Sequence, residues 1–205
     1  MRITQRLLAF FALTACSFSA FAAEEDYITV SAFLGTRINQ DINDKNTNDV
    51  ATLSSELTQA ITIGWKYDTK AEGELLFSNS KQHLSMSGSS TTELDTYVQY
   101  LHLGGKVLLI DNSKFSSNIG IGAGITYFAP TNSEYDAKTT LSAHLSAGLG
   151  YKITDQLSLR SDLRLYGTRF NTEKNLFCKD DACLIKLDNS FYFQTEVLVG
   201  LEYKF

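Results

Sequence analysis

The sequence predicts an all-β protein, an antiparallel up-and-down transmembrane β-barrel of about eight strands, and three observations predict it. Apolar and polar side chains alternate with period two along most of the chain. No stretch reaches the ~18 to 20 unbroken apolar residues of a bilayer-spanning helix, so any span must be built from strands. The connectors between alternating segments are short and long in strict turn, as at the two rims of such a barrel. A mean hydropathy of −0.11 is what alternation averages to. A soluble sandwich would average likewise, so the pattern carries the assignment and the composition does not. The 205 residues suit one domain.

Residues 1–22 read as a signal peptide and 23–205 as the barrel domain. Arg2 and Arg6 precede an apolar run, and Ala20-Phe21-Ala22 supplies a small-x-small cleavage pattern before Ala23. Leu13-Thr14-Ala15-Cys16 also resembles a lipobox, in which Cys16 would be lipidated and become the mature N-terminus. The apolar run continues past Cys16, which favours cleavage after Ala22, and the mass of the mature N-terminus separates the two routes. Cleavage removes two of the 18 basic residues and none of the 23 acidic ones, which leaves a mature charge of −7. That sign argues against nucleic acid as a partner.

The strands follow in order. Ile28, Val30, Ala32 and Leu34 form a first outward row, and Ile61, Ile63, Trp65 and Tyr67 a second whose aromatic end suits an interfacial girdle. Leu75 and Phe77 face out where Glu72 and Glu74 face in. Residues 94–109 fit either parity, and Leu101 and Leu103 are the better lipid-facing choice. Phe115, Ile119, Ile121, Ala123, Ile125 and Tyr127 oppose Ser116, Asn118, Gly120, Gly122 and Gly124. Leu141, Ala143, Leu145, Ala147, Leu149 and Tyr151 oppose Ser142, His144, Ser146, Gly148 and Gly150. Leu159, Leu163 and Leu165 oppose Arg160, Asp162 and Arg164, three consecutive inward charges that a soluble core would have to bury. The last strand sets Phe191, Phe193, Val197, Val199, Leu201, Tyr203 and Phe205 against Tyr192, Gln194, Glu196, Glu202 and Lys204. In water such an exposed terminal strand would invite aggregation, whereas in a membrane wall its apolar face meets lipid.

Segments 68–71, 110–114 and 152–156 are the short turns. Segments 39–57, 81–93, 129–138 and 171–189 are the long polar connectors, which face outside if both termini are periplasmic. Cys178 and Cys183 lie in the last long connector of an exported chain, where a loop disulfide is expected. A zinc site is not, since no His accompanies the pair.

The inward charges Glu74, Arg160, Asp162, Arg164, Glu196, Glu202 and Lys204 are expected to pair and fill a lumen that eight strands leave just wide enough for side chains, with Arg37 joining near the outer end. A narrow conducting path is the alternative. His144 and Ser146 form a His-x-Ser pair weakly similar to that of lipid A deacylases. Parity turns both inward, away from a bilayer substrate, and no Glu follows to orient the His, so no catalytic residue, cofactor or metal site is expected. The acid-rich connector with Asp41, Asp44, Asp49 and Glu56 matches no calcium-loop spacing.

The final Glu202-Tyr203-Lys204-Phe205, with Leu201, Tyr203 and Phe205 on one face, resembles the C-terminal signature read by the barrel-assembly machinery of Gram-negative bacteria. The whole plan resembles the OmpA-like eight-stranded outer-membrane barrels. Tyr100-Leu101-His102-Leu103-Gly104-Gly105 and Leu176-Phe177-Cys178 with Cys183 resemble proteobacterial porin-family outer-membrane proteins. The resemblance implies an outer-membrane location, with lipid and lipopolysaccharide as surroundings. It also implies periplasmic chaperones and the assembly machinery as partners in biogenesis. It implies no reaction and names no ligand for the outer loops, so a structural or surface-interaction role is the expectation.

Overall fold

The computed structural model describes residues 27–40, 42–43, 50–54, 56–87, 93–132, 136–169, 176–179, 182–185 and 191–205. The expected signal peptide, with both of its processing sites, lies outside them. In chain order the strands are β1 (Ile28–Asn39), β2 (Ile42–Asn43), β3 (Val50–Leu53), β4 (Glu56–Asp68), β5 (Ala71–Ser87) and β6 (Glu93–Asp111). They continue as β7 (Phe115–Pro130), β8 (Lys138–Lys152), β9 (Leu157–Arg169), β10 (Leu176–Lys179), β11 (Ala182–Ile185) and β12 (Phe191–Lys204).

Eight of these, β1, β4, β5, β6, β7, β8, β9 and β12, pair antiparallel with their neighbours. The pairing of β12 with β1 closes the ring and leaves no free edge in the wall. Backbone partners followed once around run from Val30 through Ile63, Leu75, Leu103, Ala123, Ala143, Gly167 and Phe193. They return to β1 ten residues further along, where the Gln40 amide donates to the Phe193 carbonyl. A stagger of ten over eight strands fixes a tilt of about 40° and a bore that side chains can fill.

The outer face carries the apolar rows in the expected register. Leu163 and Val199 are 51% and 53% exposed and Phe205 70%, a surface that only hydrocarbon accommodates. Trp65, Tyr67, Phe115, Tyr151 and Tyr203 ring the end that holds Tyr27 and Phe205, and Tyr97, Tyr127 and Phe191 ring the other. These rings are interfacial girdles. Trp65 lies across Gly73 of β5, where a Cβ would overlap the indole, so glycine admits the large ring. In β6, Leu101 and Leu103 face lipid while Val98, Tyr100 and His102 are buried, and a bulge between Leu108 and Ile110 shifts the register below them. Outward residues keep one parity from Tyr97 to Leu109, and the sequence leaves 94–109 open because the inward parity also carries the apolar Val98, Tyr100 and Leu108.

Two connectors differ from expectation. Segment 81–93 is mostly wall, because β5 runs on to Ser87 and β6 begins at Glu93, paired from Ser85 and Glu93 downward. Segment 39–57 contains β2 and β3, and β3 pairs with the extended end of β5. In the last connector β10 and β11 form a hairpin whose register sets Cys178 directly opposite Cys183.

Candidate functional site

The inner face is the site, because every strand delivers alternate side chains into one enclosed bore. Its outer end holds neutral amides: Gln194 donates to Asn39, Gln82 donates to Asn39 at 3.2 Å, and Tyr192 donates to Asn39 at 3.2 Å. Below them the Arg37 guanidinium is fully buried and donates to Glu196 Oε1 from Nε at 2.8 Å and from Nη2 at 2.5 Å. Arg37 also reaches the Val98 carbonyl at 2.9 Å and Ser78 Oγ at 2.8 Å. Ser78 and Tyr166 donate to the same Glu196 carboxylate at 2.6 and 2.7 Å. Tyr100 donates to Gln194, stacks on Tyr166 at 4.0 Å, and lies under the Arg37 guanidinium at 4.8 Å. Two charges out of water are tolerable here because nearly every donor and lone pair finds a partner.

An imidazole pair follows. His102 of β6 and His144 of β8 stack at 5.0 Å with their Nδ1 atoms 2.7 Å apart, and His102 Nε2 meets Ser142 Oγ at 2.7 Å. The rings fit because β7 presents glycines there. A Cβ at Gly122 would stand 2.5 Å from His144 Cε1, and one at Gly124 2.9 Å from His102 Cδ2.

Toward the termini the charges form a ladder. Arg164 bridges Glu74 at 3.0 Å and Asp162 at 2.8 Å, and Arg160 bridges Asp162 at 2.9 Å and Glu202 at 2.5 Å. Lys106 meets Glu72 at 2.9 Å and Glu202 at 3.7 Å, and Ser31 donates to Glu202 at 3.0 Å. The ladder ends in a polar cavity of about 350 Å³ at the mouth beside Phe205, lined among others by Tyr27, Glu72, Lys106, Asp155 and Lys204. There Tyr27 donates to Glu72 at 2.5 Å, and burial, then the Glu72 carboxylate, hold its phenol above the ordinary tyrosine value.

Of the inward charges read from the sequence, Glu74, Arg160, Asp162, Arg164, Glu196 and Glu202 come together in the bore, with Arg37 beside Glu196. Lys204 stands at the mouth with its ammonium 4.0 Å from the Tyr27 ring centre. Lys106 and Glu72 are additional members. The parity of Glu72 was legible, while that of Lys106 was hidden by the ambiguous register of 94–109. The bore is also less polar than the alternation implies, since Phe33, Leu76, Val98 and Leu198 are buried in it. His144 lies inward as parity implied. His83 is on the outer rim, where it contacts Asp95, which is also bound by Lys81 at 2.8 Å. Among the described residues no group of three or more His, Cys, Asp or Glu is placed to hold a metal ion.

The model of the outer membrane protein beta-barrel domain family matches residues 8–205. No curated protein matches the chain. Among solved structures, the outer membrane protein OprG from Pseudomonas aeruginosa is similar over 88% of this chain and 95% of its own, at 14% identity and a TM-score of 0.62. Neisserial surface protein A is similar over 90% of this chain and all of its own, at 11% identity and 0.59. The outer membrane protein AlkL is similar over 92% and 95%, at 14% identity and 0.57. At these identities the likeness is one of fold.

Proposed function

The chain belongs to the outer membrane protein beta-barrel domain family, and from that premise we propose an integral outer-membrane barrel with a shut bore. Its role is structural or carried by its surface loops, and it performs no reaction of its own. The observation that carries the reading is the layer of Arg37, Tyr100, Tyr166 and Glu196, none of which retains any exposure. Water-filled channels need a free path, and this layer spans the bore from β1, β6, β9 and β12.

The same reading takes membrane lipid and lipopolysaccharide as the partners of the outer face. It takes Leu201, Tyr203 and Phe205 as the face read by the assembly machinery, after passage with periplasmic chaperones. Cys178 and Cys183, opposed in their hairpin, form a disulfide in the oxidising periplasm and thereby shorten the last outer connector. A rigid wall that presents polar loops is a general way to build a binding surface.

A narrow pore is the second reading, and the cavity at the periplasmic mouth favours it because it brings water part of the way in. Swelling of proteoliposomes in a pentose separates the two. Vesicles holding the folded barrel at neutral pH are expected to swell no faster than empty ones, and swelling lost on Arg160→Ala or Arg164→Ala would establish the pore instead. Lipid A from cells with and without the protein is expected to be identical, and a changed acylation pattern would assign an enzyme.

A further inference from the structure

We infer that His102 and His144 form a proton-sharing latch across the bore, which acid releases by protonating both rings and so opens a narrow aqueous path. The inference rests on the shut-bore reading. Its basis is the 2.7 Å contact between the two Nδ1 atoms, together with the 2.7 Å contact of His102 Nε2 with Ser142 Oγ. An imidazole nitrogen is either a donor or an acceptor. A contact of this length between two such nitrogens holds one hydrogen, donated by one ring and accepted by the other. One added proton goes to Nε2 of the donating ring, which leaves a donor and an acceptor still facing each other at the two Nδ1 atoms. A second makes both Nδ1 atoms donors, so two N–H groups and two positive charges confront one another in a medium of low dielectric, and the contact cannot persist.

The surroundings give the second proton no counter-charge of its own. On β6 the neighbour is Tyr100, on β9 Tyr166, and on β8 Ser142, all neutral, while β7 offers Gly122 and Gly124. The charges acting on the pair are Arg164 of β9, Glu74 of β5 and Glu196 of β12. Glu74 is already bound by Arg164, and Glu196 by Arg37, Ser78 and Tyr166. Arg164 adds a third like charge to a doubly protonated pair. The latch also ties β6 to β8 across β7, on the side of the bore where glycines leave the wall without side chains of its own. Separation of the rings removes what fills that side and also the packing of His102 against Tyr100 and of both rings against Tyr166, so the shut layer loosens with the latch.

The test is single-channel recording on the full mature barrel in planar bilayers, at pH 7.5 and near pH 3, far below the ordinary imidazole value of about 6.5. The native protein is expected to be silent at pH 7.5 and to show discrete openings in acid. The His102→Gln/His144→Gln variant retains amides that can pair without titrating, and is expected to stay silent at both. Folding of each is checked by the shift between boiled and unboiled samples on a detergent gel. Steps from the native protein at neutral pH would overturn the shut-bore reading itself. Silence at both values would overturn the latch and leave the shut bore standing. Acid openings undiminished in the variant would assign them to other groups and overturn the latch as well. If the variant does not fold, nitrogen NMR of labelled native histidines decides. A shared Nδ1 hydrogen that disappears over the same pH interval as the openings begin supports the latch, and its persistence through that interval overturns it.

Discussion

Arg37 and Glu196 meet one to one in the outer half of the bore, whereas toward the termini Lys106, Arg160 and Arg164 divide Glu72, Glu74, Asp162 and Glu202 among them. Both arrangements bury charge between the same strands, yet they distribute risk differently. In the clamp each ion has one opposite charge, and Ser78, Tyr166 and the Val98 carbonyl supply the remaining hydrogen bonds. In the ladder most ions have two partners, and its lower end opens on a cavity at the mouth. A lone buried pair is costly to break because it strands an uncompensated charge, while a shared network redistributes. The shut layer and the least replaceable ion pair thus coincide.

Substitutions that remove one ion from each region would break the comparison if their costs proved equal. Glu196→Ala strands Arg37 and two hydroxyls, and should destabilise the barrel by about 3–5 kcal/mol in urea titrations of protein refolded into lipid vesicles. Adding Arg37→Met should recover a large part of that loss, because no buried cation then remains. Arg164→Met leaves Asp162 bound to Arg160 and Glu74 within 4.0 Å of Lys106, and should cost about 2–3 kcal/mol by the same measurement. Lys106→Met leaves Glu72 with Tyr27 and Glu202 with Arg160 and Ser31, so about 1–2 kcal/mol is expected. The smallest effect sharpens the contrast through salt. At about 1 M ionic strength screening reaches only about 3 Å, so the cost of Lys106→Met, beside the open mouth, should shrink, and that of Glu196→Ala should stay as it was.

The sequence made the wall legible because the membrane enforces one rule on every outward residue. Phe191 to Phe205 and the run of Arg160, Asp162 and Arg164 needed only their parity. Inside the bore the rule weakens. Phe33, Leu76 and Leu198 are apolar side chains on the polar parity, since a bore filled to contact accepts either kind. Which carboxylate meets which guanidinium depends on the register between strands and the ten-residue stagger accumulated around the barrel, and no single strand encodes that: Arg37 and Glu196 are 159 positions apart. Lys106 was hidden because its own parity in β6 also carries the apolar Val98, Tyr100 and Leu108. Residues 81–87 lie along the wall beyond the Tyr97 girdle, where water on the outer face removes the demand for alternation. Lys81 and His83 therefore look like loop residues although they are strand. The imidazole pair had no signal at all beyond two inward histidines on different strands.

In this barrel the outward rows touch hydrocarbon while the inward rows are packed against one another. Nitroxide labels on Leu163→Cys and Val199→Cys, in barrels reconstituted into bilayers, test this most directly, with Asp155→Cys in the periplasmic turn as the aqueous reference. Labels at 163 and 199 should collide with dissolved oxygen and be silent to a water-soluble nickel chelate, with the turn label behaving oppositely. Chelate access at 163 and 199 equal to that at 155 would contradict the account.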